Sequence, residues 1–137
     1  MIVREALVSD PRVLEADASA REAAELLTHP HVLSVLVVDE GRLVGCVTKE
    51  SFIAAAARDA DLRRLTAADL ADGEVTTIRP DAEVERALQV MVDHDLERLP
   101  VTEDGRLVGV VSREPLLRRL AEDEPPPSGP GEDQQQV

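Results

Sequence analysis

The chain has 137 residues, 43% of them hydrophobic, a length that suits one compact domain or two small units sharing a core. Its 28 acidic and 15 basic side chains leave a formal charge of −13, which disfavours nucleic acid and anionic membrane as partners. One Phe, with no Trp or Tyr, leaves a core of Val, Leu, Ile and Ala and no stacking platform for single-stranded nucleic acid.

The opening Met1-Ile2-Val3-Arg4-Glu5 is not a charged leader followed by an apolar run, and the later apolar runs are too short to cross a bilayer. The expectation is a soluble cytoplasmic protein. Residues 2–8 read as one or two helical turns, stopped by Ser9-Asp10-Pro11. Residues 12–14 are a short extended piece. Asp17-Ala18-Ser19 opens a helix over about 19–28, with Ala20, Ala23, Ala24, Leu26 and Leu27 at helical spacing and Pro30 beyond its end. Residues 32–38 are a β-branched and Leu run that predicts a buried strand. Asp39-Glu40-Gly41 turns a hairpin, and 42–47 returns. Thr48 is placed to cap a helix from 49 to about 59. Residues 60–75 form a connection anchored by Leu62, Leu65 and Leu70, with Thr66 capping a short helix over 67–70. A strand at 76–78, a helix over 83–92, strands at 98–102 and 106–111 and a helix over 113–120 follow. From Glu122 the Pro, Gly, Gln and acidic composition cannot bury apolar surface against chain entropy, which predicts a disordered tail.

The element order repeats because the sequence does. Gly41-Arg42-Leu43-Val44-Gly45 returns as Gly105-Arg106-Leu107-Val108-Gly109, at an offset of 64 residues. The match runs without a gap over 12–52 against 76–116, and a fixed period marks a repeat architecture. Each copy is β-α-β-β-α, an α/β (α+β) unit. A few strands with two helices bury little alone, so the copies are expected to pack sheet to sheet as a pseudo-two-fold pair around a shared core. The division is 1–60 for the first repeat with its lead-in helix, 61–121 for the connection and second repeat, and 122–137 for the tail. Leu26, Leu27, Phe52, Ile53, Val90, Met91, Leu116 and Leu117 are more apolar helix surface than one sheet face covers, which predicts a homodimer packed through these helices.

No candidate catalytic set emerges. Cys46 is the only cysteine, so no intrachain disulfide forms, and its apolar neighbours suit a small packed hydrophobe. His29-Pro30-His31 has no Cys, Asp or Glu at metal-ligand spacing around it. The carboxylates are scattered, with no acid/base couple among them. Thr48 and Ser112 read equally as helix caps alone or as caps that also meet a ligand.

The stretches Val75-Thr76-Thr77-Ile78-Arg79-Pro80-Asp81, Arg98-Leu99-Pro100-Val101 and Gly105-Arg106-Leu107-Val108-Gly109-Val110-Val111-Ser112 resemble the tandem cystathionine-β-synthase (CBS) domain pair, or Bateman module, over about 2–120. The resemblance implies a regulatory module that is not an enzyme and carries no cofactor. It implies adenosine-containing ligands (AMP, ADP, ATP or S-adenosylmethionine) in a cleft between the copies, and a disk-shaped homodimer. Carried over, adenine would meet Val13, Val35 and Leu36 in the first copy and Thr77, Leu99 and Pro100 in the second. Thr48 and Ser112 would present phosphate to helix N-termini, with Lys49, Arg98 and Arg113 nearby to pair with its oxygens. The ribose-gripping Asp that the family commonly has is replaced by Ser51 and by Pro115. Ser51 keeps one weaker hydrogen bond, and Pro115 suits a first helical turn but offers none. Two readings therefore stand, an adenosine-ligand sensor and a ligand-free dimerising scaffold. The regulated partner protein is not identified by the sequence.

Overall fold

Both hairpins turn on two residues with positive φ, Glu40-Gly41 (51° and 83°) and Asp104-Gly105 (53° and 82°), the combination a type I′ turn requires. In this computed structural model, which describes residues 1–8, 11–58 and 61–123, they join β2 (Ser34–Asp39) to β3 (Arg42–Thr48) and β4 (Arg98–Glu103) to β5 (Arg106–Ser112). Each hairpin carries a bulge at the same place. The register jumps between Val37 and Val38 opposite Val44, and between Val101 and Thr102 opposite Val108. The extra residue has no partner, which accounts for the exposure of both valines on the sheet surface.

The first copy adds β1 (Val13–Glu15), parallel to β2. Its expected counterpart at 76–78 is reduced to a single parallel bridge, Ile78 with Val101. The strands lie in the order β1-β2-β3-β5-β4. One residue pair, Arg42 with Arg106, joins the two copies across β3 and β5. Helices α1 (Ala20–Leu27) and α2 (Lys49–Arg58) serve the first copy, and α4 (Val84–Asp93) and α5 (Arg113–Asp123) the second. Ser19 caps α1 by accepting from the Glu22 N–H. The short α3 (Ala67–Leu70) stands where expected, with Thr66 as its cap. The lead-in is a shorter 3-10 turn, Val3–Ala6, and α5 runs to Asp123, past the expected start of the tail. The rest of that tail, and Asp59 at the expected end of α2, lie outside the described residues.

The expected single shared core is corrected to two. One is built around Val35, Val37, Val47 and Leu27, the other around Leu99, Val101, Val111 and Met91. Each is closed by a short helix that lies beside the other copy in sequence. Ala67 and Leu70 of α3 belong to the first core, while Val3 of the lead-in turn, on the first copy's side of the sequence, is buried in the second. The hydrogen bonds repeat at the same offset. Ala67 N–H donates to Ala18 C=O as Val3 N–H does to Ala82 C=O, and Thr66 N–H meets the Asp69 carboxylate as Ile2 N–H meets that of Glu5. Beyond each short helix the chain presses on a strand glycine. A Cβ on Gly45 would stand 2.6 Å from Asp72 O, and one on Gly109 would stand 2.9 Å from a Leu7 methyl.

This exchange also corrects the apolar surplus expected on the helices. Leu27, Val90, Met91 and Leu116 are buried in their own cores, and Leu26 and Phe52 are half-buried against theirs. Ile53 and Leu117, 64 residues apart on α2 and α5, stay exposed.

Candidate functional site

The alternation of β2 sends Val35 and Val37 into the first core and Leu36 to the opposite side of the sheet. There Leu36 lines a cavity of about 150 Å³, most of whose wall comes in pairs related by the repeat: Pro11 and Val75, Ser34 and Arg98, Leu36 and Pro100, Cys46 and Val110. The cavity therefore straddles the pseudo-two-fold axis between the copies. Its wall is mainly apolar, and Thr76, Glu74 and Leu96 complete it. The pairing is chemically unequal, because Ser34 on one side faces Arg98 on the other.

Arg98 stands opposite Ser112 in the antiparallel register, as Ser34 stands opposite Thr48. The structure thus brings Leu36, Arg98 and Pro100 together at the cavity and sets the two hydroxyls one strand away, where β3 and β5 pass directly into α2 and α5. Flanking cavities share walls with it. Val13 and Val35 line one of about 680 Å³ that also touches Pro11, and Thr77 lines another of about 190 Å³ that touches Val75. Leu99 is fully buried in the second core.

Thr48 and Ser51 cap α2 reciprocally. Ser51 N–H donates to Thr48 Oγ1 at 3.0 Å, and Thr48 N–H donates to Ser51 Oγ at 2.9 Å. Lys49 is exposed at the start of α2. Arg113, at the start of α5, turns the other way. Its Nη2 donates to the carbonyls of Met91 at 3.0 Å and Leu96 at 2.8 Å, and its Nη1 lies 3.7 Å from the Glu97 carboxylate. Its Nε is buried without a partner, a cost that those bonds offset.

Ser34, Cys46, Thr76 and Glu74 are cleft residues that the sequence reading did not include. The signal was available for one of them: applying the repeat offset to Arg98 lands on Ser34. Burial pushes the Cys46 thiol pKa up, and the negative charge of Asp72 pushes it the same way. The strand contact enforces that neighbour, since Cys46 and Asp72 exchange backbone hydrogen bonds of 3.0 and 2.8 Å. Among the described residues no group of three or more His, Cys, Asp or Glu is placed to hold a metal ion, and no helix is long and apolar enough to cross a membrane.

Two repeats of one α/β unit face each other across an axial cleft, the architecture of a tandem domain pair. Residues 3–58 and 67–122 each match the CBS domain family, at the same offset as the repeat, and the chain belongs to that family. It is 31% identical over 103 residues to hypoxic response protein 1 of Mycobacterium tuberculosis, covering 73% of this chain and 72% of that protein. It is 30% identical over 126 residues to the A-adding tRNA nucleotidyltransferase of Aquifex aeolicus, covering 88% of this chain but spanning 14% of that enzyme. Among solved structures it is similar to the CBS domain pair of protein MJ0100 in complex with 5′-methylthioadenosine and S-adenosyl-L-methionine. That match has a TM-score of 0.66 and 26% identity, and it covers 90% of this chain and 98% of that one.

Proposed function

We propose that this chain is a regulatory CBS pair that binds an adenosine-containing ligand in the cleft between its repeats. The carrying observation is the axial cavity with repeat-related walls, apolar at Leu36 and Pro100 and cationic at Arg98. The similarity to a CBS pair complexed with two adenosine compounds supports this reading. In it, Leu36 and Pro100 sandwich the base, Arg98 pairs with an anionic group, and Ser112 or Thr48 donates to it at a helix N-terminus, where the dipole favours negative charge. The flanking cavities at Val13, Val35 and Thr77 give a ligand room beyond the central 150 Å³. The module works as a cytoplasmic homodimer through Ile53 and Leu117, whose matched exposure on α2 and α5 suits a two-fold interface, and it relays ligand state to a further protein.

Binding to the native state raises apparent stability, by about 2.7 kcal/mol at a hundredfold excess over Kd. A thermal-shift screen with AMP, ATP and S-adenosylmethionine tests the sensor directly, and a clear rise with one of them is expected. The ligand-free scaffold is favoured by one observation, the commitment of Ser51 to the cap of α2 while Pro115 stands in its place on α5. No shift with any of the three would establish that reading instead.

A further inference from the structure

The two residues that follow the cap hydroxyls, Lys49 and Arg113, do different work. Lys49 is exposed, whereas the Arg113 guanidinium reaches back over the segment that leads into β4. Nη2 binds the last turn of α4 at Met91 O and the turn beyond it at Leu96 O, and Nη1 faces Glu97. The Arg113 backbone N–H adds a bond to Glu97 O at 2.9 Å. Four contacts thus tie the first residue of α5 to 91–97. That segment includes Asp95 at φ 54°, a left-handed turn that Asp tolerates better than most residues. On either side of Glu97, Leu96 and Arg98 line the axial cleft.

The corresponding turn of the first copy closes differently. Thr28 Oγ1 donates to Glu25 O at 2.7 Å, and Val32 N–H donates to His29 O at 3.1 Å, while Lys49 carries a compact ammonium that cannot present a planar fork. The repeat therefore keeps its element order while the two cleft walls are held differently, in backbone as well as in side chains.

We propose that Arg113 is a positioning residue of the cleft: it fixes the wall that carries Leu96 and Arg98 and links that wall to the start of α5, in the second repeat alone. The part that concerns nucleotide affinity rests on the sensor reading above. The rest does not, since Cys46 lines the same cavity and reports on it without any ligand.

The test uses the full chain with Arg113→Lys, Arg113→Gln and, as a control on the same helix, the exposed Arg118→Lys. Amide hydrogen exchange, iodoacetamide alkylation of Cys46 and calorimetric titration with AMP are measured on each. For Arg113→Lys and Arg113→Gln, exchange at 94–98 should quicken at least tenfold while 28–34 stays at the wild-type rate. Cys46 alkylation should quicken severalfold, and AMP affinity should fall about tenfold, with Arg118→Lys like wild type in all three. Exchange at 94–98 that stays at the wild-type rate in both Arg113 variants overturns the proposal. Lost AMP affinity with unchanged exchange also overturns it, by making Arg113 a direct ligand contact. Faster exchange with unaltered AMP affinity overturns it as well, because the wall would then not matter to the site. If wild type binds no AMP, the sensor reading loses that ligand, and Arg113 is judged on Cys46: faster alkylation in both variants supports its role, and an unchanged rate overturns it.

Discussion

Thr48 and Ser51 hold each other across the first turn of α2, each backbone N–H donating to the other's hydroxyl. Elsewhere in the chain Thr66 and Asp69 make the same exchange with a carboxylate in place of the second hydroxyl, at 2.9 Å for the Thr66 N–H. Ser51→Asp should therefore keep the cap and gain slightly from a negative charge at a helix N-terminus. Ser51→Ala strands the Thr48 N–H and should cost about 1 kcal/mol, in the usual range for a lost cap. Urea denaturation of both variants checks this. A loss as large for Asp as for Ala would mean that the carboxylate cannot take the hydroxyl's place.

Gly45 exists for the chain that crosses it. A Cβ there would press on the backbone oxygen of Asp72 at 2.6 Å, and backbone cannot swing aside as a long side chain can. Gly45→Ala should lose roughly 1–3 kcal/mol, the ordinary cost of overpacking. Gly73 is the contrast, because the nearest atom to a Cβ there is Val44 O at 3.9 Å. Gly73→Ala should be neutral or stabilise by up to about 1 kcal/mol through the unfolded chain. Thermal melts of the pair separate the two, and equal losses would refute the close-approach argument.

The hairpins, the helix positions and the repeat could be read from sequence because each depends on residues close together or on the offset itself. Glu40-Gly41 and Asp104-Gly105 are turn chemistry, and Thr66 before Ala67–Leu70 is cap chemistry. The exchange of short helices could not be read. Val3 and Ala67 have the same apolar pattern whichever copy they close, and the choice is made by backbone bonds to Ala82 and Ala18. The direction of Arg113 was hidden for a similar reason. An arginine after Ser112 at a helix start suits an anion by sequence, but the carbonyls of Met91 and Leu96 converge on it only once α4 and β4 are in place. The central cleft was half legible, since Arg98 and Pro100 carried the resemblance and their partners Ser34 and Leu36 follow from the offset.

Cys46 gives the protein an alkaline sensitivity with a definite sign. Its thiol pKa is raised above the ordinary value of 9.0, first by burial and then by Asp72. Above about pH 9 the unfolded chain releases that proton while the folded chain retains it, so the unfolded state binds fewer protons and stability falls as pH rises. Below that value both states carry the thiol and the contribution is fully present. Few other groups blur the signal, because the chain has no tyrosine and Lys49 is its only lysine. Cys46→Ala should flatten the loss of melting temperature between about pH 9 and the raised folded value. Asp72→Asn should flatten it less, burial being the larger cause. A profile for Cys46→Ala as steep as wild type would assign the alkaline loss to another group.

Pro115 is where the sensor and the scaffold part. It is the third residue of α5, half-buried, three positions after Ser112, where Ser51 stands after Thr48 on α2. Proline is at ease in a first helical turn, so the fold keeps it without strain, but it offers a ligand no hydrogen bond. Arg98 pairs with Ser112 across the neighbouring strands, at the end of β5 from which α5 begins. A carboxylate added there could accept from sugar hydroxyls, and a hydrogen bond to a charged group contributes ~1.5–3 kcal/mol. Since ~1.4 kcal/mol is a tenfold change in affinity, Pro115→Asp should tighten AMP or ATP binding by roughly tenfold or more. The helix should survive, because its N-terminal dipole favours the new charge. Ser112→Ala should weaken binding in the same experiment by removing the phosphate-facing hydroxyl. Calorimetric titration of wild type and both variants, each first shown to melt cooperatively, is the measurement. A folded Pro115→Asp that gains no affinity for any adenine nucleotide would leave the cleft without a ribose-reading geometry, and the scaffold would then be the better account of the module.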